Sequence, residues 1–130
     1  MAYGMRKTLS LSYDEAVEKT KSALQEQGFG VLSEIDMKQK LKEKLDVDFR
    51  RYVILGACNP PLAWKALQEE LEIGLLLPCN VIVYEKDDGT SVVSAVDPHA
   101  MLGVVGDSPM IAEVSRDARQ RLERALESLG

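Results

Sequence analysis

The chain is poor in the residues that carry most protein chemistry. Its 130 residues include two cysteines and one histidine, and the twenty residues between Cys58 and Cys79 match no compact zinc signature. Positive charge is short as well. Sixteen Lys plus Arg stand against twenty-one Asp plus Glu, a net charge of −5, so the overall field repels phosphate backbones and anionic membranes, and no nucleic-acid or membrane partner is expected. Long apolar runs are missing too. The longest uncharged stretch, Tyr52 to Trp64, covers thirteen residues with two prolines, short of the roughly 20 that span a bilayer. Residues 1–7 lack the apolar stretch of a secretory signal, which predicts a cytoplasmic protein with reduced thiols. There is no repeat, low-complexity tract or interdomain linker. What remains, 45% hydrophobic and 28% charged residues, is the balance of a folding globular chain, and the length suits one domain over residues 1–130.

Local signals divide the chain into alternating elements. Tyr3 to Ser10 reads as a strand. Ser12 with Glu15 forms a capping box, opening a helix over about residues 13–27 that Gly28 can end. Phe29 to Met37 alternates as a half-buried strand, and Met37, Leu41 and Leu45 then mark a short amphipathic helix capped by Asp36. Tyr52 to Ala57 is a continuous apolar run, the pattern of a central strand ending at Cys58. Asn59 and Pro60 open a further helix, its stripe of Ala63, Leu67 and Leu71 stopping near Gly74. Asn80 to Lys86 and Ser91 to Val96 pair around the turn Asp87-Asp88-Gly89-Thr90. Residues 97–107 read as an irregular connection carrying Met101, Leu102, Val104 and Val105, apolar enough to dock on the domain or on a partner subunit. Ser108 and Pro109 open the last helix, whose apolar stripe reaches Leu129. This order predicts an α+β fold, a mainly antiparallel sheet of about five strands covered by two long helices, with short helical insertions. A doubly wound parallel sheet is the alternative, weakened by the hairpin and by the lack of a glycine-rich turn after the first strand.

Candidate chemistry gathers at two Cys-Asn dipeptides, Cys58-Asn59 and Cys79-Asn80. Cys58 lies where an apolar strand meets a proline-started helix, a place where a thiolate would feel the helix N-terminus and become acidic; the competing reading is a small buried packing residue. If the two strand ends are neighbours, the thiols could bridge or, with His99 and Met101, hold a soft metal. His99 as a base for Cys58 lacks a third, orienting group, and a lone histidine after Asp97-Pro98 reads as a surface residue. Lys38, Lys40, Lys42 and Lys44, and the arginines of the last helix, read as solvated and ion-paired faces. Gly103 to Gly106 is a poor match to a phosphate loop.

The segments Gly56-Ala57-Cys58-Asn59-Pro60-Pro61, Gly74-Leu75-Leu76-Leu77-Pro78-Cys79-Asn80-Val81 and Val83-Tyr84-Glu85 resemble the bacterial and archaeal family called domain of unknown function 302. The resemblance covers nearly the whole chain. It implies a compact domain similar to the TATA-binding-protein fold and draws attention to Cys58, Asn59, Pro60, Pro78, Cys79 and Asn80, but it implies no activity, and fold alone licenses no DNA-binding role for an acidic chain. Two functions follow as expectations. The first is a non-catalytic module that binds a small ligand or protein partner, acts as a homodimer and uses no cofactor or metal. The second is a thiol-dependent redox or soft-metal-binding protein using Cys58 and Cys79, with Asn59, Asn80 and His99 completing the candidate site. No complete catalytic set identifies the chain as an enzyme.

Overall fold

The structure, a computed structural model, describes residues 2–130; Met1, part of the N-terminal segment read above, lies outside them. Five strands form one sheet: β1 (Gly4–Leu9), β2 (Gly30–Asp36), β3 (Tyr52–Cys58), β4 (Cys79–Glu85) and β5 (Ser91–Val96). Their spatial order is β1-β5-β4-β3-β2, and every neighbouring pair is antiparallel. The α+β reading holds, and the parallel alternative does not. Five helices accompany the sheet: α1 (Tyr13–Glu26), α2 (Met37–Leu45), α3 (Pro60–Glu69), α4 (Pro98–Leu102) and α5 (Pro109–Glu127). None among the described residues is long and apolar enough to cross a membrane.

The helix starts follow from local chemistry. Ser12, Asp36, Asn59 and Ser108 each stand in extended backbone and accept a hydrogen bond from the amide three residues on, which satisfies one of the donors that a helix start leaves orphaned. β2 is a strand as expected, but a register shift between Val31 and Ser33 sends Val31 and Ile35 to opposite faces and none of its residues is buried. Two further segments differ in secondary structure from the sequence reading. The third helix stops at Glu69, and Leu71–Leu76 continues as 3-10 turns rather than as α-helix to Gly74. Residues 97–107 are not irregular: Asp97 caps α4, and a 3-10 turn over Gly103–Val105 follows. The Asp-Pro start works there as Asn-Pro works for α3, since proline's missing N–H is one the first turn would leave unpaired.

Side-chain alternation sorts the sheet into two faces. Leu9, Val53, Leu55, Val81, Val83, Val93 and Ala95 point toward α1 and α5 and form the main buried cluster with Ala16, Leu24, Leu122 and Leu126. A second cluster lies beyond the sheet end, where Leu62 and Ala66 of α3 and Ile73 meet Leu102, Ile111, Val114 and Ala118. This cluster accounts for the apolar character of residues 97–107. Leu102 is buried there, Met101 and Val105 pack against it, and only Val104 stays outside at 74% exposure. The segment docks on its own domain.

Candidate functional site

In the β3–β4 ladder, Ala57 stands opposite Cys79 and Gly56 opposite Asn80. Cys58 is therefore one residue past the partner of Cys79, and ladder spacing sets their Cα atoms about 6 Å apart. That distance would suit a disulfide, but the pleat does not. Directly opposed residues share a face, so Ala57 and Cys79 both point into the core, while Cys58 projects to the other face with Gly56. The burial agrees. Cys79 is 7% exposed and belongs to the main core, whereas Cys58 is half-buried and outside it. Both thiols are free.

Gly56 explains how closely the outer face is packed at this point. A Cβ there would collide with Ser33 Oγ, on the β2 strand where its register shifts, and would stand 2.8 Å from Pro78 Cγ. Only glycine lets β2 and the Leu77–Pro78 segment close over β3.

The helix after Cys58 does not acidify its thiol, contrary to the sequence reading. Pro60 and Pro61 have no N–H to offer. Leu62 N–H donates to Asn59 Oδ1 at 3.2 Å, and Ala63 N–H donates to the Asn59 carbonyl at 2.9 Å. Three of the first-turn donors are thus absent or spent on the cap, which weakens the positive helix end that would hold a thiolate. Desolvation then dominates: burial raises the Cys58 pKa above its ordinary value, and burial, followed by the neighbouring Cys58, pushes Cys79 up to about 11. Both side chains are neutral thiols at pH 7. Cys58 is therefore expected to react with iodoacetamide more slowly than free cysteine at pH 7; a faster rate, followed by mass spectrometry, would contradict the weakened helix end.

Cys58, Asn59 and Cys79 line one apolar cavity of about 30 Å³, walled also by Phe29, Ala63, Ala66 and Ala118. Asn80 and His99 do not join them: Asn80 is exposed on the outer face, and His99 is exposed on α4. Among the described residues, no three His, Cys, Asp and Glu side chains converge as a metal site. Asn59 is the α3 cap and is 7% exposed. Two residues that the sequence did not single out for this place stand beside it, Gly28 and Arg121. No motif marks them, because they come from the end of α1 and the middle of α5.

The other face of the sheet carries a different arrangement. The register aligns Ile35, Ile54, Ile82 and Ser94 in one cross-strand row. Beside it Tyr52 and Tyr84 stack with ring centroids 5.5 Å apart and planes 8° from parallel, and Phe49 tilts against Tyr52 at 5.8 Å. Burial, then Tyr84 and Tyr3, raise the Tyr52 pKa. Ile35, Ile54, Ile82, Tyr52 and Tyr84 belong to neither buried cluster.

No curated protein matches the chain. A solved structure does: the crystal structure of an uncharacterised conserved DUF302 protein from Bacillus stearothermophilus is 32% identical, with a TM-score of 0.90 and 100% of each chain covered. The family model described as domain of unknown function DUF302 matches residues 5–129. The match spans both Cys-Asn segments, and this chain belongs to domain of unknown function family DUF302.

Proposed function

We propose that the protein is a non-catalytic binding module that works in the cytoplasm as a homodimer, joined through the sheet face that lies opposite α1 and α5. One observation carries this reading. The row Ile35, Ile54 and Ile82, flanked by Tyr52 and Tyr84, is apolar and belongs to neither core, although an amphipathic sheet normally turns such a face toward another layer. Five strands about 4.8 Å apart and about 20 Å long present roughly 500 Å² in projection, below the about 800 Å² per partner of a standard interface, so the flanking Phe49 and side-chain relief must supply the rest. A two-fold axis through such a face lets each isoleucine row meet its own copy. The rim is polar, with Arg6, Thr8 and Asn80 at its margins, as interfaces tend to be.

A thiol-redox or soft-metal role draws less support, because both thiols are free, burial raises the pKa of each, and among the described residues no third His, Cys, Asp or Glu joins them as a metal site. Sedimentation velocity at high micromolar concentration is expected to give a dimer. Ile82→Asp, which places a charge in the middle of the row, is expected to give a monomer with an unchanged circular dichroism spectrum. A wild-type monomer across the whole concentration range would overturn the reading.

A further inference from the structure

Among the described residues, five of the eleven exposed large apolar side chains fall between positions 32 and 49, so uncovered apolar surface is concentrated in that stretch rather than scattered. Its centre is α2. Met37, Leu41 and Leu45 stand four apart on this helix as an apolar stripe, yet none of its nine residues is buried, and Leu45 is 66% exposed. A helix this short, with four lysines, is marginal by itself in water, because the packing of an amphipathic face supplies most helix stability in proteins. The segment is shaped all the same. Asp36 caps its start, Lys38 Nζ donates to the Phe49 carbonyl at 2.7 Å, and Lys42 lies 3.0 Å from Asp46 and 3.4 Å from Asp48, which folds residues 46–49 back along the helix. These exposed ties contribute little stability. They set a shape and leave the stripe uncovered. Both ends of the segment adjoin the open sheet face, since Ile35 of the isoleucine row precedes α2 and Phe49 packs on Tyr52.

We infer that residues 37–49 form a dimerisation arm, with Leu45 and Val47 buried against a second copy of the chain where the two sheet faces meet. The inference rests on the homodimer reading and supplies what that reading lacks. The sheet face projects roughly 500 Å² where a standard interface takes about 800 Å² per partner. A helix of nine residues, at about 1.5 Å rise and about 10 Å diameter, adds roughly 130 Å² before the turn leading to Phe49 is counted. Continuity matters as much as area. Because the arm borders the isoleucine row and the stacked tyrosines, one two-fold axis brings both surfaces into contact with their copies. An arm already held in shape by Lys38 and Lys42 also gives up little freedom when it docks.

The test follows hydrogen exchange of the full chain by mass spectrometry at concentrations below and above the dimer's dissociation constant. Peptides covering residues 37–49 are expected to exchange at least about tenfold more slowly in the dimer, as a helix gains protection when its apolar face is covered. Leu45→Lys puts a cation at a helix C-terminus, where it is tolerated, and is expected to weaken dimerisation at least about tenfold in sedimentation velocity. Its melting temperature at low concentration is expected to hold within a few degrees, because Leu45 is exposed in the single chain. Val47→Lys, at a residue 44% exposed, is expected to act likewise and serves if the first variant unwinds α2. Glu43→Gln, on the side of the helix away from the stripe, is expected to leave the affinity unchanged. A wild-type dimer with an unprotected arm, and with unaltered affinity in both lysine variants, would overturn the arm and leave the sheet-face reading standing. A wild-type monomer at every concentration would overturn both.

Discussion

Between about pH 9 and pH 11 the fold is expected to lose about 2–3 kcal/mol of stability through the Cys79 thiol alone. In the unfolded chain this thiol ionises near its ordinary value of 9.0, whereas in the folded protein burial, with the neighbouring Cys58, holds it protonated until about 11. The unfolded state therefore releases its proton first as pH rises, and ionisation favours unfolding through that interval. The contribution is present in full below pH 9 and gone above pH 11. Tyr13, pushed up to about 12 by burial and then by Asp36, Asp14 and Glu34, acts in the same direction but further up the scale. Comparing the wild type with Cys79→Ala separates the two. The variant retains Tyr13 and lacks the thiol, so its urea midpoint is expected to fall less steeply over this interval. Parallel curves for the two proteins would show that Cys79 does not titrate as its burial requires. The same burial bears on function, because a thiol that keeps its proton to about pH 11 is a poor nucleophile at neutral pH.

Leu122→Ala is expected to cost about 3–4 kcal/mol and to lower the melting temperature by roughly 10–15 °C, at about 4 °C per kcal/mol for a chain of this size. Leu122 is 1% exposed in the middle of α5. It lies with Leu24 and Ala23 of α1, Val81 of β4 and Ala95 of β5 around a void of about 10 Å³. Truncation enlarges a space that is already imperfectly filled, and the sheet and two helices around it cannot collapse without disturbing several strands. Val104→Ala removes apolar atoms from a residue 74% exposed and is expected to change stability by less than about 0.5 kcal/mol. Urea titration of both variants checks the contrast. A Leu122→Ala cost below about 1 kcal/mol would mean that α5 does not hold the main core together.

Short-range chemistry was legible. The caps Ser12, Asp36, Asn59 and Ser108 and the hairpin around Gly89 depend on residues within a few positions of one another, and each appears where the sequence puts it, whereas the half-buried alternation expected of β2 is broken by a register shift between Val31 and Ser33. Residues 97–107 were misread although the same rules apply there. Five residues of α4 are too few for apolar periodicity to show, and the docking that makes them helical is supplied by α3 and α5. The cysteines show the other limit. Their positions at two strand ends were readable, but the single-residue offset that sends them to opposite faces is a property of register. Arg121 meets Gln27 across 94 residues, and no pattern in the chain announces that meeting.

The sequence by itself determined which segments become the five strands and the four longer helices, because hydrophobic period, capping side chains and prolines act within one or two turns of backbone. Only the tertiary structure decided that β5 lies between β1 and β4, that one sheet face stays outside both cores, and that Asn59, Gly28 and Arg121 share one corner. Those outcomes depend on which surfaces bury together, and burial energy depends on area rather than on distance along the chain.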